Sequence, residues 1–168
     1  MPFVPQSSLA ISRFFLERAK RDNVRDVTPM KVLKLVYIAH GWVLCFTDQP
    51  LLSEKIQAWK YGPVVPSVYH KFKEFGDSSI PFSVVESLPQ LTTEDDQVAD
   101  ALAGVWNGYK GFTGIQLSSL THQPNTPWYE TWHASGGRDS RSAIIDNQTI
   151  RRHYCDLLKQ ADDTAKSQ

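Results

Sequence analysis

The sequence of 168 residues has little cysteine and no excess charge of either sign, and both shortages exclude classes of protein. Its two cysteines, Cys45 and Cys155, lie 110 positions apart, which is too sparse for the disulfide scaffold of a small secreted domain. We therefore expect two free, buried thiols in a reducing cytoplasm. Eighteen basic residues balance eighteen acidic ones, so no overall field draws the chain to nucleic acid or to an anionic membrane.

Long hydrophobic runs are also missing. The most apolar stretch, from Leu35 to Phe46, is interrupted by His40 and Gly41 and falls short of the roughly 20 residues that cross a bilayer. The N-terminus MPFVPQSS lacks the basic and apolar regions of a signal peptide. The sequence therefore predicts a cytoplasmic protein without a membrane segment.

The common motifs of catalytic and metal sites are absent. We find no G-x-S-x-G elbow, Walker loop or G-x-G-x-x-G cradle, and the five histidines lack the spacing of zinc ligands. We expect no metal and no cofactor. A cryptic enzyme that uses His122 with Ser118 or Ser119 remains an alternative. The simpler interpretation places His122 at a helix C-terminus, where imidazole hydrogen-bonds the last free carbonyls, so we predict that the protein is not an enzyme.

What the chain does contain is an apolar pattern with helical spacing. Hydrophobic residues make up 41% and aromatic residues 11% of the sequence, which excludes intrinsic disorder. Their intervals of three and four predict a mainly α fold. We expect a compact single-domain helical bundle around a central apolar helix at about 28–46, which begins with Thr28 as N-cap and Pro29 at the first helical position. The domain occupies residues 1–161, and residues 162–168 form a polar tail.

Other segments depart from this pattern. Residues 54–61 alternate in polarity, and residues 82–88 contain two β-branched residues, so we expect these segments to pair as a small β ribbon. Gly104 and Gly108 lie four apart on a predicted helix, which indicates close helix packing. Gly136-Gly137 begins an irregular stretch.

Charge is segregated along the chain. Residues 1–73 carry a net charge of +6, residues 74–109 carry −7 and residues 110–168 carry +1. The acidic block favours a basic protein partner. The second helix is too apolar to lie in a DNA groove, so we expect no direct nucleic-acid binding. If the chain did bind nucleic acid, the contacts would come from the basic residues of the first two helices: Arg13, Arg18, Lys20, Arg21, Arg25, Lys31 and Lys34.

The stretch from Thr28 to Gly76 carries a family pattern. TPMKVLKLVYIAHGW, followed by PLLSEKIQAWKYGPVVPSVYHKFKEFG, resembles the Panacea domain of bacterial and phage antitoxins, which include SocA-like proteolytic adaptors and phage-associated GepA-like proteins. The resemblance continues in LSSLTHQPNTPW and in the closing helix after Ile145-Asp146. It therefore covers most of the chain, and AWKYGPV is its most specific part.

This resemblance implies a mostly helical domain that binds a cognate protein toxin and neutralises it. In the SocA-like branch, it implies delivery of the toxin to a cytoplasmic AAA+ protease. A regulatory interaction module of a phage or prophage remains an alternative.

Aromatic residues beside the Gly62-Pro63 turn are the best candidates for the toxin contact, because such residues are enriched in interface hot spots. The candidate contact residues are Trp59, Lys60, Tyr61, Gly62, Pro63 and Tyr69. The alternative is that Trp59 and Tyr61 are buried against the second helix. The acidic block is a second candidate surface, which would suit a basic toxin that acts on RNA or nucleotides. We interpret the remaining residues of the family pattern as structural: Leu35, Tyr37, Ala39, Gly41, Trp42, His122, Pro127 and Trp128.

Overall fold

The computed structural model describes residues 2–134, 138 and 143–167. Within them the chain is mainly α-helical, with one two-stranded antiparallel sheet, and this confirms the predicted fold class. The elements are α1 (Ser8–Asp22), α2 (Pro29–Thr47), β1 (Gln57–Trp59), β2 (Gly62–Val64), α3 (Pro66–Phe72), α4 (Asp96–Tyr109), α5 (Gly114–Thr121), α6 (Pro127–His133) and α7 (Asn147–Lys166), with 3-10 helices at Lys73–Phe75 and Phe82–Ser87.

The helix starts follow from local side-chain chemistry. Thr28 caps α2, where its Oγ1 accepts a hydrogen bond from the Lys31 backbone at 3.2 Å. Thr113 and Gln116 form the reciprocal bonds of a capping box at the start of α5. Asp146 caps α7. Each cap satisfies backbone N–H groups that have no partner within their own helix.

Helix α2 is the central element, as predicted. It packs against α1, α4, α5 and α7, and Leu35, Val36 and Ala39 are fully buried. By length and composition α2 is apolar enough to cross a membrane, but 72% of its apolar window is buried inside the protein. This packing is that of a core helix.

The predicted β ribbon is correct for the first segment, 54–61, but wrong for its partner, 82–88. Strand β1 pairs with β2 through a tight hairpin, with Ala58 opposite Pro63 and Trp59 opposite Gly62. Residues 82–88 instead form the 3-10 helix Phe82–Ser87, which packs against α1. The physical reason is the spacing of Val85 and Leu88, since apolar residues three apart lie on one side of a 3-10 turn and are both buried there.

The prediction of free thiols is wrong. Cys45 on α2 and Cys155 on α7 form a disulfide, with their Cα atoms 5.2 Å apart. The side-by-side packing of the two helices brings together positions that are remote in sequence.

The polar tail predicted from residue 162 begins as part of α7, since this helix continues to Lys166 and residues 162–166 are exposed. Gly104 and Gly108 do not mediate close packing within the chain, because an added Cβ at either position would meet no atom within 4 Å. Gly136-Gly137, where we expected an irregular stretch, lies outside the described residues.

Candidate functional site

The hairpin between β1 and β2 is fixed by three side chains from three helices. Trp128 Nε1 on α6 donates to the Trp59 carbonyl at 2.6 Å, and Ser118 Oγ on α5 donates to the Tyr61 carbonyl at 2.7 Å. Lys34 Nζ on α2 donates to the Pro63 carbonyl at 2.9 Å. Every second carbonyl of the hairpin from residue 59 to residue 63 is therefore held by a side chain of the helical core.

The outer edge of β1 is also paired. The backbone N–H of Ala58 donates to the Ala143 carbonyl at 2.8 Å, and that of Ile145 donates to the Ile56 carbonyl at 2.8 Å. The segment that precedes α7 thus covers β1 on the side opposite β2. Backbone hydrogen bonds on this side and side-chain hydrogen bonds from the helices therefore hold the hairpin in place.

Gly62 is required by the conformation of this turn. Its φ of +117° is disfavoured for residues with a side chain, and an added Cβ would lie 2.9 Å from Lys34 Nζ. Gly62 and Pro63 are both buried. Of the six predicted contact residues, Gly62 and Pro63 therefore determine the shape of the turn and are not exposed to a partner.

The other four predicted contact residues form a surface that we call the hairpin patch: Trp59, Lys60, Tyr61 and Tyr69. The side chain of Tyr61 is 60% exposed and that of Tyr69 is 37% exposed. The Trp59 ring is partly buried and meets the edge of Tyr69, with centroids 5.0 Å apart. Lys60 Nζ lies 5.5 Å from the centre of the Tyr61 ring. The alternative of full burial therefore fails for Tyr61 and holds in part for Trp59.

His122 occupies the helix end to which the simpler interpretation assigned it. Its Nδ1 donates to the Ser118 carbonyl in the last turn of α5, and its ring meets the Trp128 ring edge-on at 5.3 Å. The Ser118 hydroxyl, one of the two candidate nucleophiles, donates to the Tyr61 carbonyl, and the other candidate, Ser119, is exposed. Ser118 and His122 are thus engaged in holding the hairpin and α6.

The residues that we interpreted as structural lie mainly in the core. Gly41 is covered by the Tyr154 ring, and Trp42 Nε1 donates to the Tyr109 hydroxyl at 3.2 Å. Burial raises the pKa of the Tyr37 hydroxyl well above its usual range. The other buried residues of this set are Leu35, Ala39, Pro127 and Trp128.

The sequence analysis placed two lysines wrongly. Lys31 and Lys34 were named among the candidate residues for nucleic-acid binding, yet both side chains are fully buried. Lys31 Nζ donates to Asp26 at 2.8 Å and to the Lys110 carbonyl at 2.7 Å, and burial lowers the pKa of Lys34 to about 7. The apolar residues on every side of α2 were the signal for burial, because a polar residue on such a helix has no exposed face.

His40 is a buried polar residue to which the sequence analysis gave no role. Its Nε2 donates to Asn147 Oδ1 at 2.9 Å, and its Nδ1 accepts from the Leu52 backbone at 3.3 Å. Burial lowers the pKa of His40 to about 4. The neutral ring therefore connects α2 to the segment before β1 and to the start of α7.

Among the described residues, no group of three or more His, Cys, Asp or Glu side chains is placed to hold a metal ion.

Comparison with known proteins matches this sequence to an antitoxin family. The family described as antitoxin SocA-like, Panacea domain, matches residues 32–129, which include the hairpin and the three side chains that fix it. The antitoxin SocA of Caulobacter vibrioides (strain NA1000 / CB15N) is 26% identical over 133 residues, which cover 74% of this chain and 70% of that protein. No solved structure matches the chain.

Proposed function

Because the chain belongs to the SocA-like Panacea-domain antitoxin family, we propose that it neutralises a cognate protein toxin by binding it directly, with the hairpin patch as part of the contact. Neutralisation by binding needs no catalytic group, which agrees with the engagement of Ser118 and His122 in the scaffold. We place this activity in the cytoplasm, where thiols are kept reduced, so the Cys45–Cys155 bond belongs to the oxidised protein.

The observation that carries the proposal is the fixation of the hairpin by Lys34, Ser118 and Trp128. A surface that is already ordered before binding loses little conformational entropy in the complex. The fixed hairpin presents Tyr61 to solvent, and tyrosine is among the residues most enriched in interface hot spots. A rigid scaffold with an exposed aromatic tip is well suited to bind another protein.

The test is co-expression of the full chain with the product of its neighbouring gene. We expect the neighbouring product to stop growth when it is expressed alone, and the chain to restore growth and to co-purify with it. If co-expression gives neither growth nor a complex, the proposal is overturned.

A matched pair of variants tests the hairpin patch. Tyr61→Ala removes an exposed side chain whose backbone carbonyl remains held by Ser118, so the variant should fold and bind the toxin about tenfold or more weakly. Ile115→Ala removes an apolar side chain that is 81% exposed on α5 and should rescue growth like the unchanged chain. Equal rescue by both variants would exclude Tyr61 from the contact.

The same strains distinguish two routes of neutralisation. If the chain only blocks the toxin, the toxin accumulates in the complex. If the chain delivers the toxin to a AAA+ protease, the toxin level falls when the chain is present and recovers in a strain that lacks the protease. Both routes require the complex, and an immunoblot of the toxin separates them.

A further inference from the structure

A second surface, distinct from the hairpin patch, lies between α2, α4 and α7. These helices leave an open groove with a volume of about 570 Å³. Its walls are mostly apolar, and its residues come from all three helices. They include Trp42 and Phe46 of α2, Ala101, Gly104 and Val105 of α4, and Leu158 of α7.

An aromatic row runs along this groove. The rings of Phe46 and Trp42 stack at 5.8 Å, and Trp42 bonds to the hydroxyl of Tyr109. Beyond the residues that line the groove, the Tyr109 ring lies 6.1 Å from that of Phe112. Phe46 is 47% exposed and Phe112 is 41% exposed, so both ends of the row face solvent. Aromatic residues of this kind are enriched in the core of protein interfaces.

Gly104, which lines the groove on α4, suits the close approach of another backbone. Gly104 and Gly108 lie one turn apart on the exposed side of the helix, and each weakens the helix by about 1 kcal/mol relative to alanine. Neither is needed for packing within the chain, because an added Cβ would meet no atom within 4 Å. Two helices approach more closely where the side chains at the contact are small.

The dimensions of the groove fit a helix. Its lining positions on α4 run from Gln97 to Tyr109, a distance of about 18 Å at 1.5 Å per residue. A partner helix of about 12 residues would span it. Laying an amphipathic helix into an apolar groove is a common mode of recognition.

Charge defines the partner further. Asp100 lines the groove, and no lysine or arginine is among its described lining residues. Asp96 lies one turn before Asp100 on the same side of α4, and we call these two residues the acidic rim of the groove. The whole segment 74–109 carries seven acidic residues and no basic one. A second copy of the chain would place this acidic rim against itself, which is unfavourable. A helix with basic residues beside its apolar face complements the rim.

We propose that the groove between α2, α4 and α7 binds a basic amphipathic helix of the toxin. This inference rests on the proposed function for the identity of the partner, whereas the chemistry of the partner follows from the groove. Gly104 provides the close approach, the aromatic row provides the apolar contact, and Asp100 provides the charge.

The first test uses the purified full chain and two synthetic peptides of about 14 residues, long enough to span the groove. Both have leucine at helical spacing on one face, with lysine on the other face in one peptide and glutamate in the other. We expect the Leu/Lys peptide to bind at least about tenfold more tightly, and the difference to shrink as salt is added. Equal binding of the two peptides, or no binding of either, would overturn the proposal.

Variants of α4 locate the peptide. Gly104→Leu fills the groove and should weaken binding of the Leu/Lys peptide by about tenfold or more. Ala99→Leu makes a similar change at an exposed position of the same helix, about 140° round its axis from Gly104, and should leave binding within about twofold of the unchanged chain. Equal binding by these two variants would overturn the groove as the site.

A second pair tests the charge of the rim. Asp100→Lys should weaken binding of the Leu/Lys peptide and strengthen binding of the Leu/Glu peptide. Asp156→Lys makes the same charge change at an exposed residue two positions before Leu158, hence on the opposite side of α7, and should change neither. If both variants respond alike, net charge rather than the rim determines binding, and the assignment of Asp100 fails.

The toxin assay separates this proposal from the proposed function. If the unchanged chain does not rescue growth, the antitoxin assignment fails, while the peptide measurements still decide whether the groove binds a basic helix. If the unchanged chain and Gly104→Leu rescue equally, the antitoxin function stands and the toxin is excluded as the occupant of the groove. We expect Gly104→Leu to rescue poorly and Ala99→Leu to rescue fully.

Discussion

The aromatic ring of Tyr154 lies directly against the backbone of Gly41, where α7 packs on the central helix α2. An added Cβ at Gly41 would overlap with atoms of this ring. The Tyr154 ring also meets Trp42 edge-on, with centroids 5.1 Å apart. The glycine of the motif AHGW is thus explained by a specific contact between two helices, which the sequence of α2 alone does not reveal.

We expect Gly41→Ala to lower the free energy of unfolding by about 1–3 kcal/mol, because the methyl group forces Tyr154 away from α2. Alanine favours a helix more than glycine does, so the loss must come from packing. Urea unfolding of the full chain measures it. Gly104→Ala is the matched control, since its methyl group would meet no atom within 4 Å, and it should raise the stability by up to about 1 kcal/mol. Stabilisation by both substitutions would contradict the contact.

The disulfide between Cys45 and Cys155 closes a long loop, and we expect it to stabilise the oxidised protein by about 2–4 kcal/mol relative to the reduced one. Thermal unfolding with and without a thiol reductant measures the difference. The double variant Cys45→Ser with Cys155→Ser is the control, because its unfolding should not respond to the reductant. Two titratable thiols in denatured protein that was purified without reductant would show that the bond does not form.

The helix boundaries could be predicted because their signals are local. Thr28 with Pro29, and Thr113 with Gln116, fix the starts of α2 and α5 through bonds to backbone groups only a few residues away. The central position of α2 was also predictable, because a helix that is apolar on every side must be surrounded by other elements.

Contacts between distant segments could not be predicted in this way. The disulfide depends on the packing of α7 against α2, which no spacing in the sequence encodes. The segment 82–88 was assigned to a strand from its β-branched residues, whereas burial of Val85 and Leu88 against α1 decided its structure. The same holds for the candidate site. Tyr61 could be selected from the sequence by its residue type, but the hydrogen bond from Ser118 to its backbone carbonyl could be seen only in the structure.

His40 should make the protein sensitive to acid. Its pKa is lowered from 6.5 to about 4 by burial, so between these values the unfolded chain binds a proton that the folded chain does not. The contribution of His40 to stability is therefore complete above pH 6.5 and is lost as the pH falls from 6.5 to 4, by about 3 kcal/mol in total. Urea unfolding from pH 7 to pH 4 measures this loss.

The control for this loss is His40→Gln, which removes the titrating ring. His153 also has a lowered pKa through burial, but its contribution is common to both proteins and cancels in their difference. The difference in stability between the unchanged chain and His40→Gln should narrow as the pH falls. A constant difference would show that the pKa of His40 is the same in the folded and the unfolded protein.

Lys34 should give a second pH dependence, at higher pH. Burial lowers its pKa from 10.5 to about 7, so between these values the unfolded chain again holds a proton that the folded chain has lost. Stability therefore rises with pH through this window, by up to about 1.4 kcal/mol per pH unit. Below pH 7 the lysine is charged in both states, and the folded state bears the full cost of burying that charge.

Two variants isolate this effect in urea unfolding between pH 6 and pH 9. Lys34→Met removes both the titrating group and the donor to the Pro63 carbonyl, so the unchanged chain should gain stability relative to it by about 2.5 kcal/mol across this range. Ser118→Ala removes the neighbouring donor to the Tyr61 carbonyl without removing a titrating group, so its loss of stability should be the same at every pH. If Lys34→Met also shows a constant difference, the lysine stays protonated in the folded protein, and the hairpin is held by a buried charge rather than by a neutral amine.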